Sequence, residues 1–165
     1  MVHIFLRIVE RSVYFLLGAV AIGIVGCSSF VQFSSKTDIA NSLEIYDARQ
    51  SKIVDELQRL LGMPYCFGGN SECFDCSGLT QKVYASVGIK LPRTAQEQSK
   101  LGREVARSEL KIGDLLFFGN GSEINHVGVY VGNGELIHSS TSRGVVRDKF
   151  NKLPLRFKFA KRLFE

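Results

Sequence analysis

The chain has 165 residues, 45% hydrophobic and 22% charged, with three prolines against sixteen glycines. That length and balance suit one globular domain with a short appendage, and exclude a disordered chain, a collagen-like repeat and a two-domain dinucleotide enzyme. A net charge of +5, from 21 Lys and Arg against 16 Asp and Glu, suits an anionic partner such as a membrane surface, a wall polymer or a nucleic acid, and names none of them.

At the N-terminus, Arg7 and Arg11 precede Val13 to Val25, 13 residues without a charge or strongly polar group, the basic and apolar parts of an export signal. The run ends Ile24-Val25-Gly26-Cys27-Ser28-Ser29. A small residue directly before a cysteine resembles the lipobox of bacterial lipoprotein precursors, which would make residues 1–26 a signal peptide and Cys27 the lipidated first residue of the mature chain. The competing reading is an uncleaved signal anchor, because no charge occurs from Ser12 until Lys36. Its apolar part is shorter than the roughly 20 residues a span needs. An ordinary cleaved signal peptide is the third reading, and every version exports the domain. Ser28 rather than Asp after the cysteine resembles the outer-membrane sorting signal of Gram-negative lipoproteins, and several acyl chains on Cys27 would hold the protein durably on the envelope. Without residues 1–26 the charge is still +4, so the basicity belongs to the domain.

Residues 27–44, with the lipidated cysteine and a Ser-rich irregular stretch, read as a tether, and 45–165 as the folded domain. Ile53, Val54, Leu57, Leu60 and Leu61 recur with helical spacing until Gly62 and Pro64 stop the pattern. A loop rich in Gly and Cys runs from Tyr65 to Asp75. The spacing predicts a second helix from Cys76, with Leu79, Val83 and Val87 on one face and Gly88 closing it. Thr94-Ala95-Gln96-Glu97 is a capping box that opens a third. After Gly113 the pattern turns to strands: Leu115–Phe118, Val127–Val131, Glu135–Ser139, Val145–Arg147, and a last one in which Leu155, Phe157 and Phe159 alternate with Arg156 and Lys158. Helices first and strands afterwards indicate an α+β fold.

The chemistry-bearing residues are few. Of Cys27, Cys66, Cys73 and Cys76, only Cys76 sits at the start of an expected helix, where unpaired N–H groups favour a thiolate and lower its pKa. A thiolate nucleophile needs a partner for its proton. His126 and His138 are the imidazoles of the mature chain, His3 leaving with the signal. They flank the Gly132-Asn133-Gly134 turn, and the register decides whether they act together. A three-residue loop pairs Val131 with Glu135 and sets His138 opposite Gly128, one diagonal step from His126 on the same face. A two-residue Asn133-Gly134 loop points the rings to opposite faces unless a bulge compensates. Cys73-x-x-Cys76 is also half of a zinc ligand set, but the second pair is missing and a metal on Cys76 would silence a nucleophile. No metal and no cofactor are expected.

In chain order, Tyr65-Cys66-Phe67-Gly68-Gly69, Asp75-Cys76-Ser77-Gly78-Leu79, Leu91-Pro92-Arg93-Thr94, Gly113-Asp114-Leu115-Leu116-Phe117-Phe118, His126-Val127-Gly128-Val129-Tyr130 and Ile137-His138-Ser139-Ser140 together resemble the NlpC/P60 family of cell-wall cysteine peptidases. The resemblance covers roughly residues 45–162. It implies a reduced papain-like α+β domain, N-terminal helices packed on an antiparallel sheet, and cleavage of peptidoglycan stem peptides, commonly between D-isoglutamate and meso-diaminopimelate. By the same resemblance Cys76 is the nucleophile, His126 its proton partner and His138 the third polar residue that orients the ring. The Cys76 backbone N–H and the Tyr65 hydroxyl would serve the oxyanion, while Asp75 and Ser77 face the substrate's free amino group or shape its pocket. The protein is expected at the cell envelope, as an outer-membrane lipoprotein facing the periplasm if the cell is Gram-negative, and as a monomer.

Cys66 and Cys73 depart from the family pattern, which places an Arg-like residue and a Gly there. In an oxidising periplasm two loop thiols seven apart would pair, bracing the loop; a Cys73–Cys76 bridge would instead inactivate the enzyme, and free thiols are the third state. From Arg143 to Arg162 eight basic residues stand against Asp148 alone. They read as a solvated strand edge and tail, or as a patch in which Arg143 and Arg147 attract anionic wall or lipid headgroups. A nucleic-acid partner is not expected, since no stacking aromatics accompany the charge. The alternative function on the same fold is a catalytically silent wall-binding or scaffold lipoprotein.

Overall fold

Helix α1 spans Lys36–Leu60 and buries Ile53, Leu57 and Leu60, one stripe along its face, in the main core. The computed structural model describes residues 36–69 and 71–165. The expected signal segment 1–26 and the expected lipidation site Cys27 therefore lie outside the described residues. Residues 36–44, expected as irregular tether, are helical. No Gly or Pro interrupts the chain between Lys36 and Leu61, so once the last three turns are anchored by burial nothing stops the helix from propagating backwards. Gly62, at φ 83°, ends it and turns its N–H to the Val145 carbonyl, 2.9 Å away.

Two shorter helices follow, α2 (Cys76–Ala85) and α3 (Ala95–Gln98), the latter a single turn closed by the Thr94–Glu97 capping box. Six strands, β1 (Arg103–Val105), β2 (Leu115–Phe118), β3 (His126–Gly132), β4 (Glu135–Ser140), β5 (Gly144–Lys149) and β6 (Phe157–Arg162), form one antiparallel sheet in the order β1-β6-β2-β3-β4-β5. The fold class is α+β, as the order of elements indicates. β1 has no apolar alternation of its own and is held as a three-residue edge by β6. The last strand runs to Arg162, later than its alternation suggested, and Arg162 is buried against Asp114 at 2.8 Å.

The sheet is buried on both faces, which explains why β2 reads as an unbroken apolar run. Leu115 and Phe117 join Leu79, Val83 and Tyr84 of α2 and the α1 stripe on one side. Leu116 and Phe118 join Leu136, Phe150 and Ala160 on the other. Packing α2 across β3 and β4 sets the N-terminus of that helix beside the strand that begins at His126.

Candidate active site

The start of α2 is built by Asp75. Its backbone is extended (φ −84°, ψ 177°) and its Oδ1 accepts the Gly78 N–H at 2.6 Å, the N-cap arrangement. The same carboxylate accepts from Gly68 N–H at 3.0 Å, the Ser77 hydroxyl at 3.2 Å, and Arg93 through Nη1 at 3.0 Å and Nη2 at 2.5 Å. These donors hold the Asp75 carboxyl below its usual range against the opposing effect of burial. Asp75 and Ser77, at 7% and 5% exposure, are hydrogen-bonded to each other and to Arg93, and all three line one cavity. Arg93 carried no signal in the sequence beyond its place in the Leu-Pro-Arg-Thr string.

The loop before the helix is folded tightly onto it. Tyr65 bridges to Phe74, Phe74 donates to the Pro64 carbonyl at 3.0 Å, and the Ser139 hydroxyl of β4 donates to the Phe74 carbonyl at 2.6 Å. Cys66 and Cys73 are joined by a disulfide with their Cα atoms 5.5 Å apart, and Cys76 is a free thiol. Glycine is required at 69 and 78 because the chain passes itself there. A Cβ on Gly69 would strike the Cys66 sulfur, and one on Gly78 the Gly69 carbonyl.

The histidines come from the β3–β4 hairpin. Asn133 (φ 54°) and Gly134 (φ 72°) make the two-residue turn, both with the positive φ that a type I′ turn needs. Gly132 pairs with Glu135, but Tyr130 pairs with Leu136 and Val129 with Ile137, so Val131 is one extra residue. The short loop alone would have separated the rings; the bulge returns them to one face. His126 Nε2 lies 2.9 Å from His138 Nδ1, and the rings meet edge to face at 84°. His138 Nε2 lies 3.0 Å from Asp148 Oδ2 on β5, and Arg143 grips Asp148 through Nη1 at 3.1 Å and Nη2 at 2.5 Å. Asp148 was not singled out from the sequence, where it is a lone acid among bases with no motif around it.

The Val127 N–H is directed at the Cys76 sulfur, placing the thiol against the first residues of β3. Two cavities meet at that point. One, of about 420 Å³, is lined by Phe67, Asp75, Ser77 and Arg93; the other, of about 450 Å³, by His126, His138, Ser140 and Arg143; Tyr65, Cys76 and Asn125 line both. Cys76, His126, His138 and Tyr65 are therefore brought together, whereas Cys66 and Cys73 line neither cavity.

The electrostatics correct one expectation. Burial pushes the Cys76 thiol up, aided by the Asp75 charge and opposed by the Val127 N–H, so the helix start does not yield a free low-pKa thiolate. Burial likewise holds His126 down at about 3, with His138 beside it adding to the shift. The site disfavours the charged form of either group alone. Of the basic tail, Arg162 is paired with Asp114 in the interior, while Arg143 is tied to Asp148 and Lys161 to Glu104 nearer the surface. Among the described residues no cluster of three or more His, Cys, Asp or Glu could hold a metal.

Residues 62–160 match the model of the NlpC/P60 family. The chain is 36% identical over 130 residues to the murein DD-endopeptidase MepS/murein LD-carboxypeptidase of Escherichia coli K12, covering 78% of this chain and 69% of that protein. It is 46% identical over 100 residues to the probable endopeptidase p60 of Listeria monocytogenes, 60% of this chain and 20% of that one. The crystal structure of an NlpC/P60 family protein from Bacillus cereus ATCC 10987 superposes with a TM-score of 0.68 at 33% identity, over 70% of this chain and 40% of that one.

Proposed function

Because the chain belongs to the NlpC/P60 family of peptidoglycan hydrolases, we propose that it is a cysteine endopeptidase that cuts peptidoglycan stem peptides, with Cys76 as nucleophile and His126 as its proton partner. The observation that carries this reading is the meeting of two cavities at Cys76, each with room for peptide on its own side of the thiol. An endopeptidase needs space on both sides of the scissile bond.

The steps follow from the groups present. His126 takes the thiol proton as the Cys76 sulfur attacks the carbonyl, and returns it to the leaving amine. Charge develops on the carbonyl oxygen beside the Cys76 backbone N–H, with the Tyr65 hydroxyl across the same cavity wall as second donor. Water then releases the acyl group from sulfur, with His126 again as base. His138 orients the ring of His126. Asp75, Ser77 and Arg93 shape the cavity that receives the acyl half of the substrate.

The bond proposed is that between D-isoglutamate and meso-diaminopimelate, and the place of action is the envelope, with Cys27 as lipid anchor. Purified muropeptides are incubated with wild type and Cys76→Ala, and products weighed by mass spectrometry. Products ending in D-isoglutamate, absent with Cys76→Ala, are expected. Masses showing cleavage of the cross-link would move the bond to the DD type named for the E. coli relative; equal inertness of both proteins would leave the silent wall-binding alternative. Metabolic labelling with a fatty acid, lost in Cys27→Ala, tests the anchor.

A further inference from the structure

The relay of four side chains has a direction, and Asp148 sets it. Arg143 and then His138 hold the Asp148 carboxyl down at about 2 although burial opposes them, and an ionised carboxylate accepts hydrogen bonds without donating any. Across the 3.0 Å contact the hydrogen therefore sits on His138 Nε2. Burial lowers the pKa of His138 and keeps it neutral, and a neutral imidazole has one N–H, so His138 Nδ1 is bare and accepts. The hydrogen in the 2.9 Å contact between the rings then belongs to His126 Nε2. His126 Nδ1 is left bare, the one ring nitrogen that can receive a proton from sulfur.

We infer that Asp148, held by Arg143, is a positioning residue that fixes the tautomer of His126 through His138 and so keeps its proton-accepting nitrogen free. The inference rests on the cysteine-peptidase reading of Cys76 and His126, and assigns that site a fourth member. It follows from the chain having two settings. With an acceptor at 148, both rings carry hydrogen on Nε2. With a donor there, His138 Nε2 must accept, His138 Nδ1–H donates to His126 Nε2, and His126 carries its hydrogen on Nδ1. Each ring then moves one proton between its own nitrogens, the bonds between the rings and from His138 to residue 148 survive while Arg143 Nη2 loses its acceptor, and the base is gone. Asp148→Asn supplies such a donor with nearly the same shape.

A merely structural Asp148 would behave otherwise. Its ion pair joins an Arg143 side chain 53% exposed to a carboxylate 22% exposed on an outer strand, the sort of pair whose loss costs little stability. That role predicts slight destabilisation and no change on the rings.

The test is long-range 1H–15N correlation of the two histidines in the full chain, wild type, Asp148→Asn and Asp148→Glu, beside steady-state kinetics on muropeptides. In wild type and Asp148→Glu both histidines are expected to be protonated on Nε2. In Asp148→Asn both are expected on Nδ1, with kcat down about 10²–10⁴-fold and KM little changed; reversing a tautomer in the Ser-His-Asp triad costs about 10⁴ in kcat. A wild-type His126 protonated on Nδ1 would overturn the inference, as would an Asp148→Asn protein with wild-type tautomers and kcat within about twofold. The wild-type spectrum needs neither a folded variant nor turnover. A protein that cleaves nothing therefore ends the enzyme reading, while the rings still report on the relay.

Discussion

Replacing Cys66 and Cys73 together by serine removes a covalent closure between residues seven apart and leaves the hydrophobic core untouched. In the chain-entropy account a loop of that length restricts the unfolded ensemble by about 2 kcal/mol. For a domain of this size that corresponds to a melting temperature roughly 5–10 °C lower. Activity should fall as well, because the loop carries Tyr65 and the Gly68 N–H that binds Asp75. The assay is a thermal melt of wild type and the double variant with and without a thiol reductant, beside turnover of muropeptides. Wild type in reductant is expected to melt with the double-serine protein, and that variant to ignore the reductant. Equal melting temperatures for oxidised wild type and variant, with the Cys66–Cys73 bridge verified by non-reducing digestion and mass spectrometry, would refute the bracing argument. A bridge to Cys76 in active protein would refute the nucleophile assignment with it.

Gly128→Ala tests the hairpin register: its Cβ would stand 2.6 Å from Leu136 Cδ1 and 3.0 Å from His138 Cβ, so about 1–3 kcal/mol of stability and at least tenfold in kcat should be lost, read by denaturant unfolding and kinetics. Tyr65→Phe removes a hydroxyl at the junction of the two cavities; if it serves the oxyanion, kcat drops about 10²–10³-fold with the fold unchanged by circular dichroism. The profile of kcat/KM against pH should have its acid limb well below 6.5, since burial and His138 hold His126 down at about 3, and half-loss near pH 6.5 would contradict that. The same depression makes folding weaken in acid. The unfolded chain takes up a proton at His126 below about 6.5 and the folded one does not, so stability contributed by this group is present above pH 6.5 and lost as pH falls towards 3, measurable by melts from pH 7 to 4.

Much of the site was legible in residues whose signals are local. The Thr94–Glu97 capping box, the helix start at Cys76 and the apolar run of β2 depend on neighbours a few positions away, and each appears where the pattern puts it. α1 begins earlier than the pattern from Ile53 to Leu61 indicates, because Ile39, Leu43 and Tyr46 carry the same helical spacing back across a stretch without a breaker. The sequence allows the hairpin two registers because its turn is legible there and its bulge is not. Asn133-Gly134 announces a tight turn, but an extra residue at Val131 is selected by the need to bury Val129 and Ile137 against the helices. Arg93 and Asp148 were missed for a related reason: a charged residue declares its partner only when distant segments meet, 18 residues away for Arg93 and Asp75 and 10 for Asp148 and His138.

The order of the elements, the candidate nucleophile and the two histidines were determined by the chain itself, since they rest on periodicity, capping and residue type. Tertiary structure decided how those groups behave. The thiol that a helix start should acidify is instead pushed up by burial, and the imidazole beside it is held neutral by the same cause. Burial and hydrogen-bond direction are properties of segments brought together from afar, and no window of sequence contains them.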